Sequence, residues 1–419
     1  MRRCPPSEMT QKAAAQTTTT GALYGRLAVL GLALFVYLTA ELFPIGALND
    51  LAIGLHVAPA TAGLLLTAYA IAAGAATLPA VWACRQLDRR RVLTVSLVQL
   101  ALSQVAFGAA PNFTVAALAR GVAAVAHGLV WSQIPVVAAR YAPDGMRGRA
   151  TAAIFAGSSL GLIAGAPIAT GLAHELGWRA ASLALAGAAG ATAVLLRAAL
   201  PETPPPPREV RTRDPFSLGP VLVVCLVTTA LVVGHYVSYT YLTLLIAPVG
   251  LSGSPLVVVL AGYGIAGLFG VTLVGRALDT HPRRTALIVA TILTCAVTAL
   301  GIAHLGWLVF VLVMLWGAAA AALPVILQHA VLRTAPNAPD IPSGAYVVSY
   351  QLGITGGSAL GAALLSHTPA ASLPLWSGIA LAAGTILIIT TPAVFGPRQP
   401  CRTDRVPSRG STQASRNRC

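Results

Sequence analysis

PETPPPPREVRTRDP, residues 201–215, divides this chain of 419 residues. The stretch is too polar and too rich in proline to cross a bilayer, where every backbone N–H and C=O needs a partner within the protein. Working outward from it, both flanks are almost continuous apolar sequence. Runs of about 20 residues, the length that spans a bilayer at ~1.5 Å per residue, fall on the N-terminal side at 27–47, 62–83, 92–109, 115–138, 151–173 and 181–200. On the C-terminal side they fall at 218–246, 256–274, 285–302, 308–332, 343–365 and 375–394. Six spans, a linker and six spans predict an all-α polytopic membrane protein with twelve transmembrane helices.

Composition excludes the competing classes. Only 9% of residues are charged and 56% are hydrophobic, against roughly 25% charged in a soluble domain. A formal charge of +15 fits a nucleic-acid binder only if the basic residues share an aqueous surface, and they do not. All but two of the 27 Lys and Arg residues, Arg120 and Arg179, precede span 1, end or follow an even-numbered span, or lie in the linker and the C-terminal tail. The positive-inside rule then places both termini in the cytoplasm, and only an even number of spans keeps the alternation. Anionic lipid headgroups of the bilayer, not nucleic acid, are the expected partner of this charge. The first apolar run lacks a small-residue cleavage site and reads as a retained helix. Cys84, Cys225 and Cys295 lie in or beside spans, Cys4, Cys401 and Cys419 in the tails, and no pair has metal-ligand spacing. With no phosphate-cradling loop, nucleophile–base set or carboxylate pair in the loops, neither an enzyme, nor a cofactor, nor ATP as energy source is expected. The expected organisation is an N-terminal cytoplasmic tail at 1–26, a six-helix bundle at 27–200, a cytoplasmic linker at 201–217, a second bundle at 218–395 and a basic disordered tail at 396–419.

The halves carry matching signals. VWACRQLDRRRVL (81–93) follows span 2, and GRALDTHPRRTAL (275–287) follows span 8 with its paired arginines in the same register. Such correspondence suggests internal duplication, with the substrate path between the halves.

Five segments carry a family likeness: TAELFPIGALNDLA (39–52), LARGVAAVAHGLVWS (118–132), GSSLGLIAGAPIATGL (157–172), GHYVSYTYL (234–242) and GITGGSALGAAL (353–364). From about residue 27 to 394 the chain resembles the major facilitator superfamily, in particular the bacterial twelve-helix drug:proton antiporter branch that includes sugar-efflux and chloramphenicol-resistance exporters. The resemblance implies two pseudo-symmetric six-helix bundles. It further implies proton-coupled export of small organic compounds by alternating access, from a monomer in the bacterial inner membrane. An importer or uncoupled facilitator is the alternative among transporters, and a non-transporting membrane sensor or scaffold the alternative outside them. One loop departs from the pattern. The family's Gly-x-x-x-Asp-x-x-x-Arg-Arg is intact as Gly275, Asp279, Arg283 and Arg284, whereas the first half holds Val81, Arg85, Arg89 and Arg90, with Asp88 three residues late.

Charges inside spans are costly, about 2.5–3.5 kcal/mol each on insertion scales, so each needs a reason. Glu41 is the only acid well inside a span and sits one turn before Pro44. Removal from water disfavours its charged form, and a carboxyl group that takes up and releases a proton is what proton exchange requires; a hydrogen bond across helices is the structural alternative. Arg120 keeps its proton and must face a cavity or a partner, or else snorkel outward. The resemblance couples such an arginine to proton transfer. His127, two turns after Arg120 on the same face, and His235 can titrate or serve as neutral interhelical partners. With Trp131, Gln133, Tyr239, Gln328 and Gln351 they form the expected substrate-binding set, suited to a neutral or amphipathic ligand. Gly157, Gly161 and Gly165 line one face of span 5, which Pro167 bends; a close contact between the halves there would act as a gate. Asp279 is expected at the first turn of span 5, beside Arg147 and Arg149, favoured by the helix dipole. Asp279, Arg283 and Arg284 complete the gating set.

Overall fold

Hydropathy marks where a helix enters the apolar layer, not where it begins or breaks, and the observed helices differ from the predicted spans on that account. The computed structural model describes residues 6–143, 145–204, 217–251 and 254–396. Most of the linker and nearly all of the C-terminal tail lie outside the described residues. The twelve long helices are α1 (Pro6–Gly46), α2 (Pro59–Cys84), α3 (Arg89–Gly108), α4 (Phe113–Tyr141), α5 (Arg147–Leu176), α6 (Trp178–Ala199), α7 (Leu218–Tyr239), α8 (Ser254–Thr280), α9 (Pro282–Leu300), α10 (Gly306–Thr334), α11 (Asp340–Leu365) and α12 (Leu373–Thr390). Helix α1 starts well before residue 27, inside the segment assigned to the tail. The seventh span is divided, α7 ending at Tyr239 before a short helix at Leu242–Ile246.

Local chemistry sets the ends. Asp88 caps α3 by accepting from the Arg91 N–H at 3.0 Å, and Asn112 caps α4 by accepting from the Val115 N–H at 3.0 Å. Helices α2, α9 and α12 begin with proline in the first turn, where its missing N–H costs nothing. Inside α5, Pro167 has no N–H for Ile163, and the turn ahead of it, Gly161–Gly165, widens to π geometry. Eleven of the helices are long and apolar enough to cross a membrane. The twelfth, α11, has 26 residues and ample length, with Asp340, serines, tyrosines and glycines diluting its apolar character.

Packing repeats with a period of six helices. In the first half α1 packs on α5 and α6, α2 on α4, α3 on α4 and α6; in the second α7 packs on α11 and α12, α8 on α10, α9 on α10 and α12. Two symmetry-related seams join the halves, α5 with α8 and α2 with α11, flanked by α4–α11 and α5–α10 contacts. The fold is therefore two pseudo-symmetric bundles around a shared central axis. The glycine face of α5 does not form a seam between them. A Cβ at Gly157 would collide with the Gly31 backbone, one at Gly161 would crowd Phe35, and one at Gly165 would strike Thr39, so this face serves the approach of α1 within the first half. The seam with α8 uses other small residues: a Cβ on Gly148 would lie 2.6 Å from the Gly275 carbonyl, and one on Gly275 2.6 Å from Ala152.

Candidate functional site

The site of the first half starts from a proline. Pro44 has no N–H to give to the carbonyl of Ala40, four residues back on α1. Arg120, fully buried on α4, supplies the missing donors, giving Nη1 to the Ala40 carbonyl at 2.7 Å and Nη2 to the Glu41 carbonyl at 2.9 Å. Its guanidinium also lies over the Tyr69 ring at 4.5 Å. Among the described residues no carboxylate comes within ion-pair distance of Arg120. Carbonyl dipoles and a ring face hold the cation, which leaves the Glu41 carboxylate free to face elsewhere.

It faces His127. Glu41 Oε2 lies 3.5 Å from His127 Nδ1, and the Tyr69 hydroxyl is 3.1 Å from the same nitrogen. His127 is the fifteenth of the 29 residues of α4, so the carboxylate lies beside the midpoint of a helix of about 43 Å. Tyr37 closes the cluster by donating to the Ala123 carbonyl at 2.7 Å, and Trp131 follows one turn below His127, ring centroids 5.8 Å apart. Glu41 keeps 15% side-chain exposure while His127 keeps 5%, so the acid is the more accessible of the two.

In the second half His235 on α7 is buried, its Nδ1 accepting from Trp316 Nε1 of α10 at 2.8 Å. Tyr239 stacks on its ring at 4.9 Å and Tyr236 meets it edge-on at 4.8 Å. Tyr263 extends the stack beyond Tyr239.

The expected amides are elsewhere. Gln133 accepts from Arg89 Nε at 3.2 Å, and Gln328 donates to Ser343 at 2.7 Å, whose hydroxyl in turn donates to the Ser132 carbonyl at 2.8 Å. Both belong to the closed seam on the arginine-rich face, not to a ligand wall. Gln351 is buried on α11 next to Tyr350.

That face also holds the residues expected to act as a gate. Asp279 of α8 is at the first turn of α5, accepting from the Gly148 N–H at 2.5 Å and the Arg149 N–H at 3.3 Å, with Arg149 Nε at 3.3 Å. Arg283 stays within its own half, donating to the Ile389 carbonyl of α12 at 2.9 Å, and Arg284 is exposed. Of Asp279, Arg283 and Arg284, it is Asp279 that bonds to the other half, where the Gly275 backbone also packs on α5. On the α2–α11 seam the missing loop acid is replaced by a pair with reversed parts. Arg89, at the start of α3, grips both carboxylate oxygens of Asp340 at the start of α11, at 2.7 and 2.8 Å, with side-chain exposures of 3% and 9%. Arg85 turns back over Trp82, and Asp88 holds the Thr203 N–H as well as its own helix cap. Among the described residues, the hydrogen bonds that join the halves lie on this face: Arg89–Asp340, Asp279 with α5, and Ser343–Ser132.

Tyr37, Tyr69, Tyr263, Trp316 and Asp340 were not in the expected set. A signal for two of them exists: the 194-residue spacing relating Val81 to Gly275 also relates Tyr69 to Tyr263 and Glu41 to His235.

Two six-helix bundles meeting along paired seams, with a buried acid in the first and an aromatic-framed histidine at the equivalent position of the second, define a membrane transporter of the alternating-access kind. Residues 29–273 match the Major Facilitator Superfamily, and the chain belongs to that family. It is 40% identical over 367 residues to a chloramphenicol efflux pump of Mycobacterium tuberculosis, covering 84% of this chain and 89% of the relative. It is 30% identical over 350 residues to a probable sugar efflux transporter of Helicobacter pylori, covering 81% and 88%. Among solved structures it is similar to a proton:xylose symporter (TM-score 0.71, 15% identity, 89% of this chain and 96% of that one) and to the human organic anion transporter MFSD10 (TM-score 0.70, 16% identity, 87% and 99%).

Proposed function

We propose that the protein exports small, uncharged organic compounds in exchange for protons, chloramphenicol among them. The observation that carries this reading is the Glu41 carboxylate, nearly buried, facing His127 at the middle of α4 while Arg120 is tied to backbone carbonyls. With Glu41 ionised the cluster is neutral, and with Glu41 protonated it carries the charge of Arg120. One proton therefore changes the local field without any strong bond having to break, which suits a group that must load and unload in each cycle. The name of the 40%-identical relative supports the direction and the compound class. In this reading the arginine-rich face is cytoplasmic, both termini and the 201–217 linker lie on that side, and the protein works as a monomer in the bacterial inner membrane. The structure is then closed toward the cytoplasm.

The test is paired. Cells making the protein should survive more chloramphenicol than cells without it. Proteoliposomes should move the compound at a rate set by ΔpH. Flux indifferent to ΔpH would replace the exchanger by a facilitator, and no flux of any compound in a resistance screen would leave a sensor or scaffold.

The gating role proposed for Asp279 predicts a modest effect. Asp279→Asn keeps an oxygen for the Gly148 N–H and loses the charge, a loss of about 0.3–1 kcal/mol, or roughly two- to fivefold in the access equilibrium. Maleimide labelling of a cysteine at Ala152, buried beside Gly275, should rise by that factor with chloramphenicol affinity unchanged. Unaltered labelling would count against the role.

A further inference from the structure

We infer that His235 is a hydrogen-bond donor of fixed direction, and that it selects ligands presenting an acceptor oxygen beside a flat apolar face. The inference rests on the export reading above and specifies its ligand.

Trp316 fixes the tautomer. An indole N–H can only donate. Its bond to His235 Nδ1 at 2.8 Å therefore requires a bare lone pair on that nitrogen, and the neutral imidazole must carry its hydrogen on Nε2. Trp316 is fully buried, so this lock is shielded from water. His235 itself is only 6% exposed, yet Nε2 has no hydrogen-bond partner among the described residues and is not one of the atoms shut off from the surface. A donor has been oriented and left unused. Its mount is stiff: Tyr239 stacks on one face of the ring at 4.9 Å with a 22° interplanar angle, and Tyr236 abuts it at 84°.

Position gives the donor its role. The duplication that relates Val81 to Gly275 places His235 where the first half has Glu41. At this equivalent position the first half thus offers the acid and the second a neutral N–H framed by aromatic rings. A nitro or carbonyl oxygen on an aromatic compound satisfies that N–H while its ring lies against Tyr236 or Tyr239. A polyhydroxylated sugar needs many partners, and two of the three expected amides, Gln133 and Gln328, are bound within the seam, which leaves Gln351 alone. A cation gains nothing from a donor.

The experiment uses the full chain in nanodiscs and proteoliposomes, with chloramphenicol as probe. In ¹⁵N-histidine-labelled protein, the His235 signals, identified by their change in Trp316→Phe, should show Nε2 protonated and Nδ1 bare, and saturating chloramphenicol should shift Nε2. A protonated Nδ1, or an Nε2 signal indifferent to bound chloramphenicol, overturns the inference. In flux, His235→Asn, which keeps an acceptor near the Nδ1 position and loses the donor at Nε2, should raise KM about tenfold, the weight of one buried hydrogen bond. His235→Gln, whose amide N–H₂ reaches the Nε2 position, should stay within about twofold. Equal losses in both variants, or none in either, also overturn it. A wild-type protein that moves no chloramphenicol would instead sink the function proposed above, and the histidine spectra would still decide the donor.

Discussion

Glu41→Gln is expected to yield a protein that still binds and exchanges chloramphenicol but cannot concentrate it. Glutamine preserves the length and the hydrogen-bonding reach of the side chain toward His127 Nδ1, now 3.5 Å from Oε2, so the cluster should keep its shape. It cannot ionise, so the proton is lost as a second cargo. The size of the effect follows from the gradient: two pH units are worth about 2.7 kcal/mol per proton, which at one proton per substrate supports a concentration ratio of about 100. The variant should reach a ratio of one. Counterflow at equal pH, which needs no net proton movement, should persist. Arg120 stays anchored in this variant, because its bonds go to the Ala40 and Glu41 carbonyls and not to the carboxylate. A folding defect and a coupling defect are thereby separable, since binding and counterflow report the first and accumulation the second. If the variant still builds a gradient of chloramphenicol from ΔpH, another group carries the proton and the role assigned to Glu41 is lost.

The membrane class was legible because hydropathy integrates over whole helices, and twenty apolar residues outweigh any single exception. The same averaging hid what single residues do. Helix α11, with Asp340 at its start and tyrosines and glycines along it, reads weakly as a span although it contributes to one of the two seams. Glu41, Arg120 and His127 stood out as polar groups in apolar runs. Their arrangement did not, because it depends on Pro44 freeing a carbonyl that a residue 80 positions away then binds. Tyr37, Tyr69 and Tyr263 were invisible for the opposite reason: in an apolar helix a tyrosine passes for one more hydrophobic side chain. The glycine period of α5 gave the face but not its partner, which turned out to be α1. Gln133 and Gln328 carried amides suited to a ligand, but nothing local tells an amide in a seam from an amide in a cavity.

Arg89 illustrates the limit best, and it carries the other large effect. In the sequence it is one of several loop arginines; in the fold it closes a pair with an acid 251 residues away. Breaking a buried pair from one side leaves an uncompensated charge, at a cost of about 3–5 kcal/mol. In Asp340→Asn the Arg89 guanidinium, 3% exposed, keeps its bond to Gln133 and loses its counter-ion. The cost falls on the state in which this face is closed, because opening the seam lets the guanidinium reach water. The access equilibrium should therefore move toward opening on the arginine-rich face by a factor of at least about 100, far more than for Asp279→Asn. A cysteine at Val81, fully buried and facing Gly344 of α11, should label rapidly with maleimide in Asp340→Asn and slowly in the parent. Replacing both partners, as Arg89→Met with Asp340→Leu, removes the stranded charge and should return labelling to near the parental rate, since apolar isosteres of a buried pair are tolerated. If the single variant labels no faster than the parent, the pair is packing and not a latch. If the double variant labels as fast as the single one, the loss is of a specific bond and not of a compensated charge.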